Sequence, residues 1–133
     1  MYVLIFEHTM TYALAQRQIR RLDVFDLHAS ICRTLANPSR LKILALLGKQ
    51  ERSVGELAGI IGVSSSNVSQ HLSILSSQGL VLARKQAQTV FYSLGDRRII
   101  RACSLIRSVL LDQMKSQGEV ARETDPRYVV TID

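Results

Sequence analysis

Two groups of side chains in this sequence have the types and spacing to do chemistry. The first runs from Ser64 to Ser77, where Ser65, Ser66, Asn67, Ser69, Gln70, His71 and Ser73 supply short, uncharged donors and acceptors. Within the same segment Val68, Leu72 and Leu75 recur at helical spacing, so a helix here buries those three and turns Ser66, Asn67, Gln70, Ser73 and Ser77 the other way. Amide and hydroxyl groups match the donors and acceptors on base edges, and the chemistry they suit is hydrogen-bond reading of a duplex major groove. The plainer alternative is a solvated helix face. Such faces are usually rich in Lys and Glu, however, and no Lys or Arg occurs from Ser53 to Leu80. The second group is Cys32 and Cys103. Their thiols suit a redox or reactive-sulfur switch, or a soft metal or arsenite. They equally suit packing, because cysteine is a small, readily buried hydrophobe and both fall on apolar helical faces. The residues alone leave these readings open.

The first group needs a scaffold, and the flanking sequence supplies one. Ser53 with Glu56 three residues on is a capping box that starts a helix, with Leu57, Ala58 and Ile61 on its inner side. Gly62 stands where the chain must turn left-handed to leave that helix, and Ser64 or Ser65 caps the next. Upstream, Asn37 and Pro38 open a helix that Gly48 closes, with Leu41, Leu44, Leu47 and Ile43 packed beneath the helix pair. Before it, Asp26 caps a helix whose inner face is Leu27, Ile31, Leu35 and the neighbouring Cys32. Downstream the period changes to two, so Leu80–Lys85 and Thr89–Leu94 are predicted strands around Gln86, Ala87 and Gln88. Arg84 and Lys85, near the tip of this hairpin, supply the phosphate-directed charge that the serine-rich helix lacks. Gly95 and Asp96 then stop the strand and cap a long helix reaching about Gln117. Ile99, Cys103, Ile106, Leu110 and Met114 follow one face of it, widened by Ile100, Leu105, Val109 and Leu111. That is more apolar surface than a small domain covers by itself, and the economical partner is a twofold mate.

At 133 residues the chain has room for one domain, and with 47% apolar residues it can build a core without staples. A formal charge of +6 and a pI near 9.8 favour a polyanionic partner, either nucleic acid or an anionic membrane surface. No apolar run is long enough to span a bilayer, and Met1–Phe6 lacks the flanks of a signal peptide, so no membrane partner and a cytoplasmic location are expected. Two distant cysteines in a reducing compartment are not a disulfide framework. Tyr2–Phe6 has strand-like composition, Thr11–Leu22 has a helical pattern with Arg17, Arg20 and Arg21 mostly off its apolar line, and Tyr128, Val130 and Ile132 alternate in the tail. The expected division is an N-terminal extension over 1–26, a core domain over 27–117 and a tail over 118–133. No Ser, His and acid cluster, glycine-rich phosphate loop or metal constellation occurs, so neither catalysis nor a cofactor is expected.

The runs LANPSRLKIL (Leu35–Leu44), SVGELA (Ser53–Ala58), SQHLSIL (Ser69–Leu75), QGLV (Gln78–Val81) and TVFYSL (Thr89–Leu94) resemble the ArsR/SmtB family of winged-helix repressors over about Leu27–Met114. The resemblance implies a mainly α fold with a small β-hairpin, a dimeric winged helix-turn-helix, acting as a homodimer on double-stranded operator DNA. It implies release by a metal ion, a small inducer or an oxidant. It places Arg40 and Lys42 near phosphates, and pairs the last helix with the first core helix through Leu27, Ile31, Ile99, Ile106, Leu110 and Met114. Thiol-sensing relatives carry one Cys on each of two such helices, which here are Cys32 and Cys103, although persulfide sensors use a position nearer Ala45. Metal-sensing relatives carry paired thiolates or Asp and His pairs. Here RSVGEL has no Cys, and the last helix opens DRRII, where Asp96 has no His, so no metal site is assigned. Many relatives have a Gly in the wing turn. Its absence from Gln86–Gln88 predicts a longer or differently shaped tip. A metal- or arsenite-responsive repressor, and a winged-helix module that binds protein, are the competing functions.

Overall fold

A computed structural model describes residues 23–117 and 126–128. The chain falls into two units, Met1–Arg33 and Thr34–Asp133. The strand-like start at Tyr2–Phe6 and the helical pattern at Thr11–Leu22 lie outside the described residues, as do Val130 and Ile132.

In the first unit Asp23 leads into helix α1 (Val24–Leu35), which begins three residues earlier than a cap at Asp26 predicts. Asp23, not Asp26, supplies the capping oxygen: its carboxylate accepts the Phe25 N–H at 2.8 Å, and its carbonyl takes the Leu27 N–H. Asp26 lies in the first turn, where a negative charge still favours the helix dipole. Val24 and Phe25 are 69% and 75% exposed.

In the second unit α2 (Pro38–Leu47) opens as expected, with Asn37 accepting the Arg40 N–H and Pro38 at the first helical position. Ile43, Leu44, Ala45, Leu46 and Leu47 are all buried, so α2 is enclosed on every side at its C-terminal half and serves as the central post of the core. The two-residue strand β1 (Arg52–Ser53) leads into α3 (Val54–Ile61), whose capping box is fully formed: Ser53 Oγ accepts the Glu56 N–H and Glu56 Oε1 accepts the Ser53 N–H, each at 3.2 Å. Gly62 leaves the helix at φ +81°, a conformation open to glycine at little cost, and Ser64 caps α4 (Ser65–Ser77) by accepting the Asn67 N–H.

Strands β2 (Val81–Gln86) and β3 (Thr89–Leu94) form the hairpin, and β3 also pairs with β1, giving an antiparallel sheet ordered β1-β3-β2. The register Gln86↔Thr89 leaves only Ala87 and Gln88 in the turn, so the tip is tighter, not longer, than the lack of glycine predicts. Ala87 takes φ +53° to make it. Helix α5 (Arg97–Ser116) is capped by Asp96, and Arg97 reaches back to the Gly48 carbonyl at 3.2 Å, tying α5 to the end of α2. Tyr128 belongs to a short 3-10 turn, Pro126–Tyr128. The described residues form a winged helix-turn-helix, mostly helical with a small antiparallel sheet.

Candidate nucleic-acid interface

The face of α4 that could meet a duplex is built by three anchors on its other side. Val68, Leu72 and Leu75 are each completely buried, which fixes the rotation of the helix about its axis. Ser65, Ser66, Asn67, Ser69, Gln70 and Ser73 are exposed in consequence. Ser77, also exposed, spends its hydroxyl on the Ile74 carbonyl at 2.7 Å. His71 sits at the margin: it is half-buried, its Nδ1 is enclosed without a hydrogen-bond partner, and burial together with the nearby Arg40 charge holds its pKa below the ordinary imidazole value. His71 is therefore neutral at physiological pH.

The other expected basic residues stand on α2 and on the wing. Arg40 is half-buried and its Nε–H donates to the Thr34 carbonyl, which fixes the guanidinium in place. Lys42 is exposed, with its ammonium 5.6 Å from the centre of the Tyr128 ring. On the wing, Arg84 is not loose: it forms a two-pronged pair with Glu51, bonds Gln86 Oε1 at 2.9 Å and lies over the Phe91 ring. The hydrogen bond from Arg84 holds the Glu51 carboxyl below its usual range, and Glu51 raises Arg84 in turn. Lys85 is exposed beside it. The chain thus offers an exposed uncharged row on α4, and basic side chains on α2 and on the hairpin.

Sequence reasoning missed Glu51, because the pair with Arg84 arises only when β1 and β2 are brought onto opposite edges of β3. It also missed Ile74, an apolar side chain 42% exposed next to Ser73, where an aliphatic group suits a thymine methyl. Its exposure follows from the rotation set by Val68, Leu72 and Leu75.

The family described as "Bacterial regulatory protein, arsR family" matches residues 37–82. The nodulation protein NolR of Rhizobium meliloti is 39% identical over 113 residues, 85% of this chain and 89% of that protein. The chain belongs to the ArsR family. An uncharacterised HTH-type transcriptional regulator of Mycobacterium tuberculosis, Rv0081, is 40% identical over 65% of this ArsR-family chain and 77% of its own length. The crystal structure of Rv0081 superposes with a TM-score of 0.66 at 36% identity, covering 73% of this chain and 98% of that one. The homodimeric winged helix-turn-helix DNA-binding domain Mb0332 of Mycobacterium bovis, solved by NMR, gives a TM-score of 0.61 at 28% identity over 75% and 91%. This ArsR-family chain is accordingly a DNA-binding transcriptional regulator.

The remaining expected site residues are distributed as follows. Cys32 on α1 is exposed, and Cys103 on α5 is buried, with 6% of its surface accessible. On α5, Ile99 and Met114 are partly covered, whereas Ile106 and Leu110 are 62% and 52% exposed, with Leu105 and Val109 beside them at 57% and 55%. On α1, Leu27 and Ile31 are half-buried. Among the described residues no three His, Cys, Asp or Glu side chains converge where a metal could be held, and no helix is long and apolar enough to cross a membrane.

Proposed function

We propose that this chain is a homodimeric transcriptional repressor that reads an operator duplex with α4 and is released by chemical modification of Cys32 and Cys103. The observation that carries the reading is the exposed uncharged row Ser66, Asn67, Gln70 and Ser73, held outward by three wholly buried anchors. Gln70 and Asn67 have the amide pair that binds adenine edges in two places at once, and Ser65, Ser69 and Ser73 adapt to either strand. His71, neutral and at the margin, has the weakest claim to a base. Lys42, Lys85 and the fixed Arg40 supply phosphate contacts, and Arg84 joins them by exchanging Glu51 for a phosphate.

Dimerisation follows from α5. Four large apolar side chains, each more than half exposed, lie on one helix. Covering the exposed half of each yields roughly 1–1.5 kcal/mol, which a second copy of the same helix supplies with matching shape. The homodimeric Mb0332 domain supports this assembly. Leu27, Ile31, Ile99 and Met114 complete the interface in this reading. Residues 1–26 act as an extension, 27–117 as the DNA-binding and dimerising domain, and 118–133 as a tail.

For the switch, Cys32 is the accessible thiol and meets the reagent first. Oxidation of the thiols, with two electrons and two protons passing to the oxidant for each disulfide formed, fixes a dimer arrangement that no longer presents its two α4 helices at half-site spacing. Cytoplasmic residence, where such thiols start reduced, is part of the same reading. Fluorescence anisotropy against the chain's own upstream DNA and a random duplex tests it. Specific affinity at moderate salt is expected, lowered by roughly 1–3 kcal/mol in Gln70→Ala. Diamide should release the wild type and not Cys103→Ser. Equal affinity for both duplexes sinks the repressor, and release of Cys103→Ser by diamide sinks the switch.

A further inference from the structure

Against α2 in the second unit lies an open cleft of about 450 Å³. Its floor is apolar, made by Leu41 and Ala45 of α2 and Ile61 at the end of α3. Its rim is cationic: Lys42, Arg107 of α5 and Arg127 stand around the floor, and the Tyr128 ring forms one wall. The wall is held in place from several sides. Lys49 donates to the Pro126 carbonyl at 2.8 Å, Arg127 donates to the Ile60 carbonyl at 3.0 Å, and the Lys42 and Arg127 cations each stand 5.6 Å from the Tyr128 ring centre.

Among the described residues no carboxylate lines the cleft, and Lys42 and Arg107 take no part in the ion pairs of Arg84 with Glu51 and Arg98 with Asp96. Arg107 contributes one hydrogen bond, to Ser104 Oγ at 3.3 Å, which leaves the other guanidinium donors open to an acid. Cations around an apolar basin select for an anion that carries an apolar body. Its acid group takes the Arg107 fork, its body displaces water from Leu41, Ala45 and Ile61, and an aromatic ring has Tyr128 to stack on. A DNA phosphate has no such body and would leave the floor wet.

We propose that this cleft is a binding site for a small organic anion with an aromatic or aliphatic body, such as an aryl carboxylate. The volume lies in the range of small-molecule sites. The walls come from the helix beneath the reader, from the first helix of the helix-turn-helix and from α5. An occupant touching Ile61 and Arg107 together therefore links the DNA-reading pair to the apolar helix, the connection an effector requires. That regulatory consequence rests on the repressor reading above; the binding itself does not.

The probe is anilinonaphthalene sulfonate, which joins one acid group to an apolar body and fluoresces when desolvated. Titrated into the full chain it should saturate a single class of site, and the neutral phenylnaphthylamine should bind about tenfold more weakly. Arg107→Gln and Tyr128→Ala should each weaken the sulfonate by about tenfold at unchanged melting temperature. Arg101→Gln, exposed on the same helix and absent from the cleft lining, should not. If both cleft variants bind the dye like the wild type, or the neutral analogue binds equally well, the dye sits on the exposed face of α5 and the proposal is overturned. A chain that passes this test but shows no preference for its upstream DNA keeps the site and loses the repressor.

Discussion

Gly95 approaches Gly79 so closely that a Cβ on Gly95 would fall inside the radius of the Gly79 carbonyl oxygen, while the Gly95 N–H donates to the Leu80 carbonyl at 2.9 Å. Here the residues that follow α4 cross those that lead into α5. Gly95→Ala must push these backbones apart, because the obstacle is main chain and not a side chain that can swing away. A loss of roughly 1–3 kcal/mol is expected, read as a lower urea midpoint at unchanged slope. A variant as stable as the wild type would show that the crossing is looser than described.

In the proposed function Arg84 and Glu51 set how the wing responds to DNA. The carboxylate occupies the guanidinium that a phosphate would otherwise take, so Glu51→Gln should tighten duplex binding and steepen the dependence of log affinity on log salt by about one phosphate contact. Anisotropy titrations across a salt series measure both. An unchanged slope would mean that Arg84 stays off the backbone in the complex.

Asp96 carries an acid limit on stability. Its hydrogen bonds from the Arg98 side chain and backbone N–H depress its pKa from 3.8 to about 2. The value is lower folded than unfolded, so the stabilisation is present above about pH 4 and is lost as pH falls toward 2. Asp96→Asn keeps an oxygen for the Arg98 N–H and removes the charge. Its urea midpoint should fall less than that of the wild type across that window, and parallel curves would remove Asp96 from the account.

Ala87 takes a left-handed backbone at the tip of the wing, which costs an L-residue more than glycine. Ala87→Gly should raise stability by about 0.5–1 kcal/mol, the relief of strain being partly offset by the freer unfolded chain. Differential scanning calorimetry reads this as a higher melting temperature, and a drop would show that the turn bears no strain.

Much of the scaffold was legible because its signals are local. Asn37 with Pro38, Ser53 with Glu56, Ser64 and Asp96 announce helix starts within four residues, and Val68, Leu72 and Leu75 fix the α4 face by period alone. The missed features are long-range or depend on a choice among local options. Glu51 meets Arg84 across 33 positions, and Arg52–Ser53 is too short a strand to leave a pattern. Ala87 gives no turn signal because the conformation it adopts is normally marked by glycine. Asp23 and Asp26 are both competent caps, and the structure uses the earlier one. Cys32 borders the Leu27, Ile31 and Leu35 stripe, so periodicity could not separate a covered thiol from the exposed one.

Because Val68, Leu72 and Leu75 have no accessible surface, α4 cannot roll without opening the core. In the proposed function what it addresses is therefore written in the outward side chains, and Ser66, Asn67, Gln70 and Ser73, being exposed, can be exchanged with little effect on folding. On that reading the helix is a cassette: a few surface substitutions re-address such a protein to a new promoter while the machinery behind them stays as it is.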